Sequence, residues 1–223
     1  MPSCTARVSQ TGTTPLPTCR WPRSRVRHGV RYPEVHRQAT WHRSGVAIRE
    51  ALQSAFEWRG DRTDRGYRAD LTGWWREPGV LSALGPSLAQ LHTGEPTVVL
   101  APSSRGPLLG SMVAVHLGIG LVELRKDPGA AADSDAWRTR TSPPDYRDRQ
   151  LKFGFRRDLI KSGDRVLFVD DWIATGGQAL TAQALVGDTG ATWIGAAVIV
   201  DGLESSAVRR GLHVRSLLHI RDL

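Results

Sequence analysis

The sequence predicts a single α/β domain built on a mostly parallel, doubly wound sheet with a variable N-terminal appendage. First, Val166–Val169 is an apolar run without polar alternation, which is typical of a strand buried on both faces. Second, segments with helical spacing of apolar residues, such as Gly106–Leu117, separate runs of this kind. Third, a chain of 223 residues can bury one good core.

The predicted elements follow the chain in order. Helical spacing predicts helices over about Trp41–Trp58, Pro78–Leu91 and Gly106–Leu117, and Ala179–Leu185 is a further helix-like segment. The predicted strands are Thr97–Ala101, Leu121–Arg125, Leu151–Phe155, the run from Val166, Ile194–Val200 and Val214–Ile220.

Two stretches do not fit this alternation. Residues 1–40 mix Thr, Pro, Ser and Arg without an apolar period, which predicts a basic, disordered extension before a domain over residues 41–223. Either the extension is a native arm that contacts nucleic acid, or its start codon is assigned too far upstream. Residues 127–150 are too long for an ordinary connection, so we expect a functional lid or a disordered segment there.

The formal charge of +8 is concentrated near the N-terminus. Residues 1–60 hold ten Arg and three Glu, a net +7, while the remaining residues hold 20 basic and 19 acidic side chains. A nearly neutral domain argues against nucleic acid as a partner, except through the basic tail.

Other classes are disfavoured by what the sequence lacks. No apolar run reaches the roughly 18 residues of a membrane-spanning helix, and no apolar secretory signal opens the chain. The only cysteines are Cys4 and Cys19, which form no CxxC pair. A cytoplasmic location is therefore the default expectation.

The most informative residues follow the apolar run directly. Asp170 and Asp171 are adjacent carboxylates, and their desolvation cost places them where the strand emerges, at the edge where open α/β sheets bind ligands. Gly176 and Gly177 let backbone amides approach an anion at the start of the next helix. Carboxylates for hydroxyl groups beside an anion site indicate a sugar phosphate. The glycines are not followed by Lys-Ser/Thr, so the segment is not a Walker A loop.

Two further clusters follow strands of the same sheet. Ser104, Arg105 and Gly106 stand between strand Thr97–Ala101 and a helix, which predicts a second anion site. Arg125 and Lys126 close the next strand with two cations.

Residues 166–178 resemble the ribose-phosphate signature of the type I phosphoribosyltransferases, an apolar strand followed by Asp-Asp, two further residues and Ala-Thr-Gly-Gly. Ser103–Gly110 is similar to the pyrophosphate loop of the adenine phosphoribosyltransferase-like, purine-specific members. The Asp-x-Thr of residues 70–72 resembles a segment before the first helix of that family, and the resemblance covers about residues 67–205.

The resemblance implies an enzyme that uses phosphoribosyl pyrophosphate (PRPP). Asp170, Asp171, Arg105 and Lys126 would be its catalytic residues. The PRPP-binding residues would be the same two carboxylates with Ala174, Thr175, Gly176, Gly177 and Gln178. The pyrophosphate-binding residues would be Ser104, Arg105, Gly106, Arg125 and Lys126. Mg²⁺ would be bound with PRPP and without direct protein ligands, and the family's Arg-Lys pair commonly acts across a homodimer interface.

The sequence departs from the family pattern in the predicted lid. The position of the usual catalytic Glu falls on Arg147, and the nearest carboxylates are Asp145 and Asp148. The last Thr of the phosphate loop is replaced by Gln178.

The expected function is transfer of phosphoribose to a nucleobase, a purine such as adenine, in nucleotide salvage. The alternative is a PRPP-binding regulator without a complete catalytic loop. Trp74 and Trp75 either stack on the base or belong to the core.

Overall fold

The computed structural model describes residues 45–61, 63, 66–129, 136–143 and 150–223. The strands are β1 (Glu57–Arg59), β2 (Arg68–Asp70), β3 (Val98–Pro102), β4 (Gly120–Lys126), β5 (Trp137–Thr141), β6 (Lys152–Arg156), β7 (Arg165–Ile173), β8 (Thr192–Asp201) and β9 (Val214–His219). The helices are α1 (Gly45–Ser54), α2 (Thr72–Arg76), α3 (Pro78–Ala89), α4 (Gly106–Leu117), α5 (Gly177–Gly187) and α6 (Ser206–Gly211).

Seven strands form the central sheet in the order β5-β6-β4-β3-β7-β8-β9. Five adjacent strands pair in parallel, namely β4, β3, β7, β8 and β9. Strands β6 and β5 extend the sheet beyond β4 as an antiparallel edge. Strands β1 and β2 form a separate antiparallel hairpin. The predicted mostly parallel α/β sheet is confirmed.

Apolar side chains cover both faces of this sheet. Helices α1 to α4 contribute to one core, in which Val99 and Leu167 project from the strands. Helix α5 contributes to the other core with Phe168 and Val198. Alternating residues of one parallel strand thus enter different cores, which is why the strand sequences are continuously apolar.

The longest helices, α3 and α4, have 12 residues each. Within the described part of the chain, none is long and apolar enough to cross a membrane.

The structure differs from the expected elements in two places. The first helix ends at Ser54, and strand β1 occupies the end of the range predicted as helical. The stretch 127–150 contains strand β5, in which Trp137, Thr139 and Thr141 pair with β6. These β-branched and aromatic residues suit a strand once a partner is available. The predicted extension over residues 1–40 lies outside the described residues.

Gly110 sets how closely α4 approaches the sheet. A Cβ atom there would lie 2.8 Å from both Ala101 Cβ and Leu121 Cδ1. We therefore expect Gly110→Ala to lower the free energy of unfolding by about 1–3 kcal/mol, because a closely packed contact must open.

Gly187, the last residue of α5, is the matched control, since a Cβ atom there would meet nothing within 4 Å. Gly187→Ala should leave stability unchanged or raise it by up to about 1 kcal/mol. Urea unfolding measures both variants, and equal stabilities would contradict the packing argument.

Candidate functional site

A cavity of about 370 Å³ lies beside the carboxyl-terminal half of β7 and the loop that follows it. It is lined by residues in and directly after β2, by the carboxyl edge of the sheet, by the β5–β6 hairpin and by the start of α5. The lining residues are Ala69, Leu71, Arg105, Lys126, Ser142, Pro143, Leu151, Phe153, Phe168 and the continuous segment 170–179. Parallel strands deliver these groups to one place because their carboxyl ends share an edge.

Asp170 and Asp171 are more deeply placed than the sequence suggests. Both lie within β7, not beyond its end, and their exposed fractions are 8% and 9%. The backbone amide of Asp171 donates a hydrogen bond of 2.9 Å to Oδ1 of Asp170. Burial, and then the neighbouring carboxylate of Asp171, raise the pKa of Asp170 well above its ordinary value.

Arg105 provides the compensating charge for the second carboxylate. Arg105 lies in the loop between β3 and α4, and its Nη1 donates a hydrogen bond of 2.6 Å to Oδ2 of Asp171. The guanidinium side chain remains 52% exposed while the Asp171 side chain is 13% exposed. Arg105 therefore both pairs with the buried carboxylate and presents hydrogen-bond donors to the cavity.

The loop after β7 leads into the N-terminus of α5 at the cavity. Gly176 has a φ of +83° and precedes α5 as its N-cap, a conformation that favours glycine. No acidic side chain lies in the first turn of α5. Gly176 has no side chain that could accept hydrogen bonds from the first amides of the helix. The first amides of the helix thus lie at the cavity that Ala174, Thr175, Gly177 and Gln178 line.

The predicted pyrophosphate residues are only partly brought together. Lys126 lines the cavity, whereas Arg125, Ser104 and Gly106 are not among the described residues of its lining. Successive residues of a strand point to opposite faces, and Nε of Arg125 pairs with Oε2 of Glu123 at 3.2 Å.

The β5–β6 hairpin forms one wall of the cavity. Ser142 and Pro143 line it, and the Ser142 hydroxyl accepts a 3.1 Å hydrogen bond from the amide of Leu151. Arg140 of β5 holds the hairpin on α5, since its Nε and Nη2 donate to the two carboxylate oxygens of Asp188 at 2.8 and 2.7 Å. This hydrogen bonding lowers the pKa of Asp188.

Aromatic rings cover the opposite side. Trp172 lines the cavity and stacks on Phe56 with ring centroids 6.4 Å apart, and Trp58 meets it edge to face at 6.2 Å. Trp74 is fully buried and donates to the carbonyl of Leu52, so it belongs to the core. Of the two alternatives for Trp74, stacking on the base or burial in the core, the structure supports burial in the core, and Trp172 lines the cavity instead.

Sequence reasoning missed the wall residues Ser142 and Pro143 and the Arg140–Asp188 pair. No motif marks them, because their role depends on contacts between β5 and α5 that lie 48 residues apart along the chain. Asp145, Arg147 and Asp148 lie outside the described residues. Within the described ranges, no group of three or more His, Cys, Asp or Glu side chains could hold a metal ion.

Comparison with known proteins adds independent information. The family model for the phosphoribosyl transferase domain matches residues 80–221. The adenine phosphoribosyltransferase of Methylococcus capsulatus is 33% identical over 153 residues, which cover 67% of this chain and 86% of that protein. The Streptomyces coelicolor adenine phosphoribosyltransferase is 34% identical over 137 residues, covering 59% of this chain and 70% of that protein.

Solved structures give the same picture. The adenine phosphoribosyltransferase of Rhodothermus marinus superposes with a TM-score of 0.67 at 29% identity, covering 78% of this chain and 99% of that one. The Trypanosoma brucei enzyme, solved with AMP, pyrophosphate and ribose-5-phosphate, superposes with a TM-score of 0.63 at 25% identity, covering 79% and 81%.

The raised pKa of Asp170 predicts a cost in stability. The folded state holds this proton more tightly than the unfolded chain, so folding stability falls as pH rises from about 4 through the raised pKa of the folded state. We expect Asp170→Asn to raise Tm at neutral pH, because the neutral amide avoids that cost.

The Tm difference between variant and wild type should shrink toward pH 4 and level off at alkaline pH. Each kcal/mol regained corresponds to about 2–4 °C in a domain of this size. Differential scanning calorimetry of both proteins, from about pH 4 to alkaline pH, measures this Tm difference. A Tm difference that is independent of pH would show that Asp170 does not titrate as described.

Proposed function

We propose that this chain, which belongs to the phosphoribosyl transferase domain family, transfers the phosphoribosyl group of PRPP to adenine and releases pyrophosphate. The family membership confirms the expected class of enzyme, a phosphoribosyltransferase. The acceptor is inferred from relatives that are named adenine phosphoribosyltransferases. The observation that carries the proposal is the buried pair Asp170–Asp171 joined directly to a glycine loop at a helix N-terminus.

The 5′-phosphate of PRPP fits the loop 174–178. Backbone amides and the Thr175 hydroxyl supply hydrogen-bond donors, and the positive end of the α5 dipole favours an anion. A Cβ atom on Gly176 would lie 2.9 Å from Val208 Cγ1, so a larger residue would displace the loop.

The ribose then lies over the carboxyl end of β7. Asp170 and Asp171 can accept hydrogen bonds from its hydroxyl groups, and an ionised carboxylate stabilises the positive charge that develops on the sugar. A ring nitrogen of the base forms the new bond to C1 of ribose and loses a proton. The bond from C1 to oxygen breaks, and its electron pair leaves with pyrophosphate, whose charge Arg105 and Lys126 offset.

The apolar side of the cavity suits a planar base. Ala69, Leu71 and Trp172 line it close to the carboxylates, and the Trp172 ring is itself held by Phe56 and Trp58. A flat heteroaromatic ring gains from contact with such apolar surface.

Mg²⁺ would enter with PRPP and supply positive charge to its pyrophosphate. Asp170 and Asp171 line the same cavity and could accept hydrogen bonds from the water shell of this ion. The β5–β6 hairpin would limit the entry of water, which competes with the base for C1. A homodimer, a cytoplasmic location and any nucleic-acid contact of residues 1–40 remain predictions.

The first test is a set of assays with PRPP, Mg²⁺ and single bases: adenine, guanine, hypoxanthine, xanthine, uracil and orotate. We expect adenine to be the preferred acceptor, with AMP and pyrophosphate formed in equal amounts. Binding of PRPP without turnover of any base would overturn the proposed function in favour of the regulator.

The double variant Asp170→Asn/Asp171→Asn should lose turnover, to below about one per cent of wild type, because both ribose-facing carboxylates are removed. Glu50→Gln, an exposed change on α1, is the control and should retain full activity. Wild-type rates in the double variant would contradict the assignment of this cavity.

Arg140 should act on PRPP binding through the hairpin. Arg140→Ala is expected to raise KM for PRPP about three- to fivefold with a smaller change in kcat, because an exposed ion pair makes only a modest contribution to holding the hairpin. Asp188→Ala should have the same effect, and the double variant should be no worse than either single one.

Arg156→Ala is the matched control, since Arg156 pairs with Asp158 at 3.3 Å on the same hairpin without reaching α5. Steady-state kinetics with varied PRPP distinguishes the variants. Additive effects of Arg140→Ala and Asp188→Ala would show that the two residues act separately.

A further inference from the structure

A second cavity of about 330 Å³ adjoins the first. The two cavities share Ala69, Leu71 and Arg105 as lining residues. The β1–β2 hairpin adds Arg59 and Arg68 to the second cavity, so three arginines are among its lining residues. Arg105 is therefore a common wall between the ribose-phosphate cavity and a positively charged recess.

Two arginines lie directly opposite each other on the hairpin. Arg59 and Arg68 are partners in the antiparallel register of β1 and β2. Like charges at such a position destabilise a strand pair, because their Cβ atoms are only about 5 Å apart. Asp70 and Glu57 reduce this repulsion at Arg59, and an anion beside Arg68 would reduce it further.

Only one of these arginines has its charge compensated. Nε of Arg59 pairs with Oδ2 of Asp70 at 2.5 Å, and its Nη2 pairs with Glu57 at 3.1 Å. Hydrogen bonds from Thr72 lower the pKa of Asp70, so this carboxylate is ionised. In the described ranges Arg68 is exposed and has no ion pair or side-chain hydrogen bond, and it lines the recess.

The charged lining residues of the two cavities are paired to different extents. The charged lining residues of the first cavity are two cations, Arg105 and Lys126, and two carboxyl groups, Asp170 and Asp171. Arg105 already pairs with Asp171, although a departing pyrophosphate carries several negative charges. In the second cavity Arg105 pairs with Asp171, and Arg59 pairs with Asp70 and Glu57. Among the described residues, Arg68 is the lining arginine without an ion pair.

We infer that Arg68, supported by Arg59, binds the pyrophosphate group and extends its site from Arg105 into the second cavity. This inference rests on the proposed function for the identity of the anion. The hairpin that supplies both residues precedes residue 80, where the match to the family model begins.

Arg68→Gln is the test, measured by calorimetric titration of the full chain with inorganic pyrophosphate in the presence of Mg²⁺. We expect Kd to rise about fivefold, which corresponds to the loss of one exposed ionic contact. Arg68→Lys should fall between Arg68→Gln and wild type, because it keeps the charge but loses the guanidinium fork. A thermal melt of each variant checks that it is folded.

Arg76→Gln is the matched control, since it removes the same charge from an exposed arginine at the end of α2 that lines neither cavity. Its Kd should stay close to that of wild type. Equal values for Arg68→Gln and Arg76→Gln would overturn the inference, as would a wild-type chain that does not bind pyrophosphate. A raised KM for the base with an unchanged Kd for pyrophosphate would instead assign the recess to an anionic acceptor.

This measurement is independent of turnover. A wild-type chain that binds pyrophosphate but converts no base would refute the proposed function, and the comparison of Arg68→Gln with Arg76→Gln would still decide the role of the recess.

Discussion

Two adjacent carboxylates buried at the end of a central strand are the constraint on which the rest of the site depends. Burial disfavours the charge on Asp170, and the Asp171 charge is tolerated because Arg105 lies 2.6 Å away. Arg105 can lie there only because β3 is the parallel neighbour of β7, so that the loop after β3 opens at the same edge. Lys126 reaches the cavity for the same reason, one strand further along. Because β4, β3 and β7 are parallel neighbours, cations that follow or end two of these strands line the same cavity as the buried carboxyl groups.

Helix α5 connects two parts of this site. Its N-terminus lies behind the loop that is suited to a phosphate, and Asp188 beyond its C-terminus holds the β5–β6 hairpin through Arg140. The hairpin in turn places Ser142 and Pro143 on the cavity wall. A movement of the hairpin would therefore be transmitted to α5, the helix whose first residues line the cavity.

The N-terminal β1–β2 hairpin lies beside the cavities and precedes the part of the chain that the family model matches. The family model matches residues 80–221, which hold the sheet and the carboxylate pair, whereas Arg59 and Arg68 precede it. Trp58 of the same hairpin contacts Trp172, which lines the first cavity. Residues of the hairpin and of the sheet thus line adjoining cavities around the carboxylate pair.

The sequence by itself determined the parallel sheet, the carboxylate pair and the anion loop, because each is encoded within a few consecutive residues. Val166–Val169 needs burial on both faces, and the positive φ of Gly176 needs glycine. Only the tertiary structure decided that Asp170 and Asp171 lie inside the strand, that Trp74 is core, and that Arg125 turns away while Lys126 faces the cavity. It alone paired Arg140 with Asp188 and brought Arg68 beside Arg105. These contacts join residues far apart in the chain, so their energies depend on packing and strand register, which no local pattern records.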